Sequence, residues 1–171
     1  MSRWFGPILQ NGYAVHDWRA AAEHWVEVMG VGPFFLMEHI EFEWCTFRGE
    51  PVELDLCVAI AYTGEQQIEL VQQLNDAPSI YTEFLAKNEP GLQHMGVFVD
   101  DLQGVLDARN LRDQVVQEGR TKAGIDFAYV ETGGHNGTMI ELIEADDGVR
   151  KAFDYMRKAS IGWDGSEPIR G

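Results

Sequence analysis

Gln10-Asn-Gly-Tyr-Ala-Val-His-Asp-Trp18 returns 84 residues later as His94-Met-Gly-Val-Phe-Val-Asp-Asp-Leu102. Each copy opens on a polar side chain, places a glycine two residues on, continues through apolar residues, and ends on an aspartate before a bulky apolar residue. That order reads as a short strand running into a helix with the aspartate as N-cap. A second pair closes each copy: Ile68-Glu69-Leu70-Val71 and Ile140-Glu141-Leu142-Ile143, 72 residues apart. The chain therefore holds two versions of one module, each opening with a strand that carries a polar residue and ending with a strand that carries a glutamate.

Between these markers the pattern is strand, helix, strand, strand, strand. In the first copy a strand over 8–15 leads to a helix over Trp18–Met29, where Trp18, Ala21, Ala22, Trp25, Val28 and Met29 recur at three- and four-residue spacing. Gly30-Val-Gly-Pro33 stops it. Strands follow over 34–43, 54–62 and 66–72, with an irregular piece through Gly49-Glu-Pro51. In the second copy the spacing predicts strands over 93–99, 115–121, 125–131 and 138–143, with a helix from Asp101 to about Arg112. Gly133-Gly-His-Asn-Gly137 suits a hairpin between the last two strands.

Module one thus spans 8–75, a connecting helix lies within 76–90, module two spans 91–145, and a C-terminal helix with a tail occupies 146–171. The final dozen residues read as peripheral. Neither module can bury a sheet face alone. Joined, they form one α+β domain over 1–171: a curved eight-stranded mixed sheet with helices outside and a cleft inside.

Bulk properties exclude some functions. The net charge of −15 and scattered basic residues argue against nucleic acid. No run approaches the ~18 apolar residues of a membrane span. Met1-Ser-Arg-Trp-Phe-Gly-Pro7 does not read as a signal peptide, since polar Gln10 and Asn11 cut its apolar stretch short. Cys45 and Cys57 match no metal or redox spacing and are expected as reduced thiols in strands. These features point to a cytoplasmic enzyme.

Strand alternation places Gln10 with Gly12 and His94 with Gly96, each on one face. Glu69 and Glu141 each point away from two apolar neighbours in strands expected mid-sheet, where a carboxylate is costly unless paired, coordinated or wet. Taken singly, His94 reads as a hydrogen-bonded core residue, the glutamates as solvent-facing, and Gln10 as uninformative. Their equivalence across the repeat makes Gln10, Glu69, His94 and Glu141 a candidate metal set. His16, His24, His39 and His135 break the repeat and read as surface, helix or turn residues.

Ile68-Glu-Leu70, Pro90-Gly-Leu-Gln-His94-Met-Gly-Val-Phe-Val-Asp-Asp-Leu102 and Gly137-Thr-Met-Ile-Glu141-Leu142 resemble the vicinal oxygen chelate superfamily, the glyoxalase/bleomycin resistance/dioxygenase fold, over about 8–145. The resemblance implies one divalent ion (Zn, Ni, Co, Mn or Mg) held by Gln10, Glu69, His94 and Glu141. The Gln/Glu/His/Glu set is similar to one version of glyoxalase I, and the stretch from Ile68 to His94 is similar to methylmalonyl-CoA epimerase. Epimerases usually carry His where this chain has Gln10, and take a base from elsewhere in the first module; Glu38, Glu41, Glu43 and Asp55 are the candidates. The implied activity is a metal-dependent isomerase, epimerase or lyase acting on a small carbonyl substrate. It would transfer a proton alpha to the carbonyl through a metal-stabilised enediolate, with Glu141 and then Glu69 as base. Pairing among relatives implies a homodimer. The rival readings are a metal-free small-molecule binder of the bleomycin-resistance kind and, more weakly, an Fe(II) dioxygenase, against which Gln10 argues.

Overall fold

The computed structural model describes residues 2–171. In the first module β1 (Gln10–Ala14), α1 (Trp18–Met29) and β2 (Phe34–Met37) are followed by β3 (Phe42–Phe47), β4 (Glu50–Pro51), β5 (Leu56–Thr63) and β6 (Gln66–Gln73). A short α2 (Ile80–Leu85) leads to β7 (Gly91–Val99), α3 (Leu102–Ala108), β8 (Val115–Thr121), β9 (Ile125–Val130) and β10 (Met139–Ala145). α4 (Asp147–Ala159) and β11 (Ile169–Arg170) end the chain. Asp17 caps α1 by accepting hydrogen bonds from the backbone N–H groups of Arg19 and Ala20, and Asp101 caps α3 through Gly104 N–H, so the repeated aspartates do the same work. Gly30 ends α1 at φ 66, the left-handed region in which glycine carries no Cβ penalty.

All strands join one open mixed sheet in the order β11-β2-β5-β6-β1-β7-β10-β9-β8-β3-β4. The modules meet at β1 and β7, which pair antiparallel, while each first strand lies parallel to the last strand of its own module. α1 and α3 lie outside the sheet as the sequence implies. Trp18 and Ala22 of α1 pack with Phe34, Ala59 and Leu70; Leu102 and Leu106 of α3 pack with Val97, Ala128 and Leu142. At ~1.5–3 kcal/mol for each large apolar side chain buried, these two layers hold the modules' backs. α2 and α4, which lie outside the modules, instead cover the concave face. Tyr81 of α2, and Phe153 and Met156 of α4, join the inner cluster with Leu56, Ile60 and Phe127.

Three expectations need correction. The strand expected over 34–43 breaks at 38–41, and the piece read as irregular contains β3. β3 pairs with β8 of the other module, so the chain passes from one edge of the sheet to the other. A pairing that distant leaves no local signature, and the break falls at His39, whose φ is 54. The tail is not merely peripheral, because β11 extends the sheet beside β2 and the Trp163 ring lies against Gly32. α3 stops at Ala108 rather than near Arg112, where a separate 3-10 turn, Arg112–Gln114, begins. Among the described residues no helix is long and apolar enough to cross a membrane. Cys45 and Cys57 are free and buried, and burial followed by the charge of Glu118 pushes the Cys45 thiol up to about 11. Such a thiol is unreactive.

Candidate metal centre

The four central strands bring the four repeat-derived residues together. Across β1 and β7, Gln10 sits opposite Gly96 and Gly12 opposite His94. On the flanks Glu69 lies beside Gly12, and Glu141 beside Gly96. Each first-strand side chain therefore lies over the other module's glycine. A Cβ at Gly12 would come within 1.9 Å of His94 Cε1, and one at Gly96 within 2.1 Å of Gln10 Oε1. The two glycines vacate the space that the two polar side chains occupy.

Ligand atoms of Glu69, His94 and Glu141 all lie within 4.8 Å of one another. His94 Nε2 is 3.2 Å from Glu69 Oε2 and 3.5 Å from Glu141 Oε2, with His94 fully buried. Neither contact has hydrogen-bond alignment. Among the described residues, the buried side-chain atoms without a hydrogen-bond partner are Gln10 Oε1, Glu69 Oε2, His94 Nε2 and Glu141 Oε2. Buried polar atoms are nearly always satisfied, so four orphans, one on each of these side chains, mark this as a candidate site for an added cation. An amide oxygen, an imidazole nitrogen and two carboxylates suit a borderline or hard divalent cation.

Electrostatics favour added positive charge at this point. Burial lifts the Glu69 carboxyl above its usual range; His94 opposes that shift and the charge of Glu141 adds to it. Burial alone would lower the His94 pKa, yet the facing carboxylates, Glu141 foremost, override it and push it up to about 9.

Two buried glutamines, not singled out by the sequence, orient the donors. Gln10 Nε2 donates to Gln67 Oε1 at 2.7 Å, and Gln67 Nε2 donates to the Tyr62 hydroxyl at 2.6 Å, which leaves Gln10 Oε1 for the centre. His94 Nδ1 lies 2.7 Å from Gln93 Oε1; donation along that bond leaves the Nε2 lone pair facing inward. The signal available was position: Gln67 precedes Glu69 by two residues on the same face, and Gln93 adjoins His94. Amide orientation itself is set by distant partners.

The centre opens into a cleft holding about 620 Å³ of empty space, mouth included. Its walls are apolar side chains of β2, β5 and β9, with Ile40 and Phe42 from the crossing segment and Phe153 from α4. Its polar groups are Glu69, Glu141, Gln117, Thr121 and a pair of tyrosines, Tyr81 and Tyr129, whose hydroxyls are 2.8 Å apart. Burial holds both phenols well above their ordinary pKa, so they remain protonated. Of the additional base candidates, Glu38, Glu41 and Glu43 are exposed, and Asp55 pairs with His39 at 2.8 Å; none lines the cleft. His16, His24, His39 and His135 are all exposed.

The paired modules and their converging donors define a protein with one candidate single-ion site on a pseudo-twofold axis. Residues 9–129 match the Glyoxalase/Bleomycin resistance protein/Dioxygenase superfamily, and the chain belongs to that family. It is similar to methylmalonyl-CoA epimerase from Mycobacterium tuberculosis, at 21% identity and a TM-score of 0.61, covering 88% of this chain and 95% of that one. A hypothetical protein from Bacillus halodurans C-125 is similar at 17% identity and a TM-score of 0.59, covering 82% and 95%. A methylmalonyl-CoA epimerase solved with methylmalonyl-CoA and NH4+ gives 19%, a TM-score of 0.54, and coverage of 84% and 96%. At these identities the likeness is one of fold. Comparison with curated proteins gives no significant match.

Proposed function

We propose that the chain is a metal-dependent isomerase, epimerase or lyase that moves a proton alpha to a substrate carbonyl. The observation that carries this reading is the convergence of Glu69, His94 and Glu141 within 4.8 Å, each with an unpartnered buried atom as Gln10 has, where Glu69 and Glu141 line an apolar cleft. Similarity to methylmalonyl-CoA epimerases adds support for proton transfer as the reaction type. Gln10, Glu69, His94 and Glu141 would hold a divalent ion, which when bound supplies Lewis acidity toward the carbonyl oxygen.

The remaining chemistry belongs to the protein. Glu141 and Glu69 both line the cleft, so either carboxylate reaches a substrate lying there. Glu141 takes the proton from the carbon beside the carbonyl and returns that same proton to a neighbouring carbon. For inversion, Glu69, its pseudo-symmetric partner, enters protonated and delivers its proton to the opposite face while Glu141 keeps the one it took. The apolar walls exclude water, which protects the carbanion-like state from quenching.

The test combines metal analysis with hydrogen exchange. Protein purified without chelator should carry one ion per chain, lost in His94→Ala. With the ion in place, a bound ketone should exchange its alpha protons in D2O by NMR, and Glu141→Gln should keep the ion and lose the exchange. Wild-type exchange in Glu141→Gln would remove its role. A chain that takes up no divalent ion at any pH would favour the rival, a metal-free small-molecule binder.

A further inference from the structure

Glu69 and Glu141 are the charged residues among those lining the cleft; among the described residues no lysine, arginine or histidine lines it. The cations around it are already engaged. On α4, Arg150 donates to the carbonyls of Ala145 and Val99, and Arg157 pairs with Glu65 and Asp154. At the crossing segment, Arg120 pairs with Glu43 and Asp126, and Lys122 with Glu41. In the centre itself, two carboxylates cancel the charge of a divalent ion, and Gln10 and a neutral His94 add none. The chain as a whole carries −15.

A carboxylate on the body of a bound molecule would therefore leave water for an apolar wall with no counter-charge, and burial of an unpaired ion is strongly disfavoured. The groups that do face the ligand, the Tyr81 and Tyr129 hydroxyls with Gln117 and Thr121, suit an uncharged oxygen. We propose that the cleft takes an uncharged, apolar carbonyl compound, aryl or branched alkyl behind the carbonyl, and turns away a substrate whose body carries a carboxylate. This rests on the reading of the cleft as the substrate site. It departs from the methylmalonyl group of the structural neighbours, which bears a free carboxylate.

Two probes with one carbonyl end and different bodies isolate this property: 2-hydroxy-4′-methylacetophenone and 4-(hydroxyacetyl)benzoate. Calorimetric titration of the full chain, metal-free and after loading with Zn(II), reads each affinity. The methyl probe should bind at least about tenfold more tightly in both states. Ile125→Lys, which sets a cation in the cleft wall, should raise the affinity of the benzoate by about fivefold or more and that of the methyl probe not at all, while Ile125→Gln should raise neither. Equal or tighter benzoate binding by the wild-type chain, or no saturable binding of the methyl probe, overturns the proposal. Alpha-proton exchange, followed separately, distinguishes the two readings. Ordered binding without exchange sinks the proton-transfer chemistry and leaves the ligand class standing; exchange with the order reversed does the opposite.

Discussion

Gly12→Ala tests the construction of the centre more sharply than removal of any donor. Gly12 lies in β1 beside a register shift in the β1–β7 pairing but outside the positive-φ region, so its backbone conformation does not require glycine. Its Cβ, however, would sit 1.9 Å from His94 Cε1 and 2.0 Å from Nε2. Non-bonded carbon contacts are comfortable at ~3.5 Å, so the imidazole must retreat by about 1.5 Å. The ring is also tied to Gln93 at 2.7 Å, and that bond has to break or bend. Metal sites tolerate shifts of only ~0.2 Å in donor distance, so affinity for Zn(II) should fall by about 100-fold or more.

Overpacking of this kind costs about 1–3 kcal/mol, and for a chain of this size it lowers Tm by roughly 2–12 °C. In a His94→Ala background the three nearest obstructing atoms, all of the imidazole, are gone. The same Gly12→Ala change should then stabilise by about 0.4–1 kcal/mol, through the unfolded chain's reduced freedom. Thermal denaturation of the metal-free proteins and calorimetric Zn(II) titration complete a double-mutant cycle. If Gly12→Ala binds Zn(II) as tightly as wild type and the two substitutions are additive, the glycine is not what makes room for His94.

Other outcomes follow from the same geometry. Gln67→Leu removes the partner that commits Gln10 Nε2, and should weaken Zn(II) binding by about 10–100-fold in a metal titration. Tyr62→Phe should weaken it less, since Gln67 retains its bond to Gln10. The metal-free protein should lose stability with rising pH: His94 holds its proton up to about 9 when folded but to about 6.5 when unfolded. That contribution is present in full below about 6.5 and fades through about 9, as denaturation midpoints measured across this window should reveal. In His94→Ala that imidazole contribution should be lost. Phe153→Ala, which pares back the α4 side of the cleft, should cost about 2 kcal/mol in denaturant unfolding while leaving metal stoichiometry unchanged.

What could be read in advance depended on how far apart the interacting residues lie along the chain. The module pattern was legible, and the candidate residues could be placed near one another, because the repeat prints Gln10 against His94 and Glu69 against Glu141, each in a short alternating strand. The N-caps at Asp17 and Asp101 were legible for the same reason, being local. β3 was not, because Phe42–Phe47 gains its partner only when β8 of the other module arrives. The position of α4 was equally hidden: its amphipathic pattern says that one face is covered, but not that the cover is the inner face of the sheet. Gln67 and Gln93 escaped notice because a buried amide's role lies in which of its ends is engaged. Tertiary contact alone decides that.

The segment from β2 to β3 carries a mechanical implication. Ile40 N–H donates to Leu56 O on β5, in one half of the sheet, and Glu41 O accepts from Lys122 N–H, just past β8, in the other half. One peptide link thus ties β5 to the end of β8, adding to the β1–β7 and β3–β8 pairings that already join the two modules. Like a hasp across a half-open book, it fixes the spacing of the covers at that end. Admission of a molecule then relies on the opposite end or on side-chain rotation, so the largest cross-section that enters is gauged by main chain rather than by residues that drift readily under mutation.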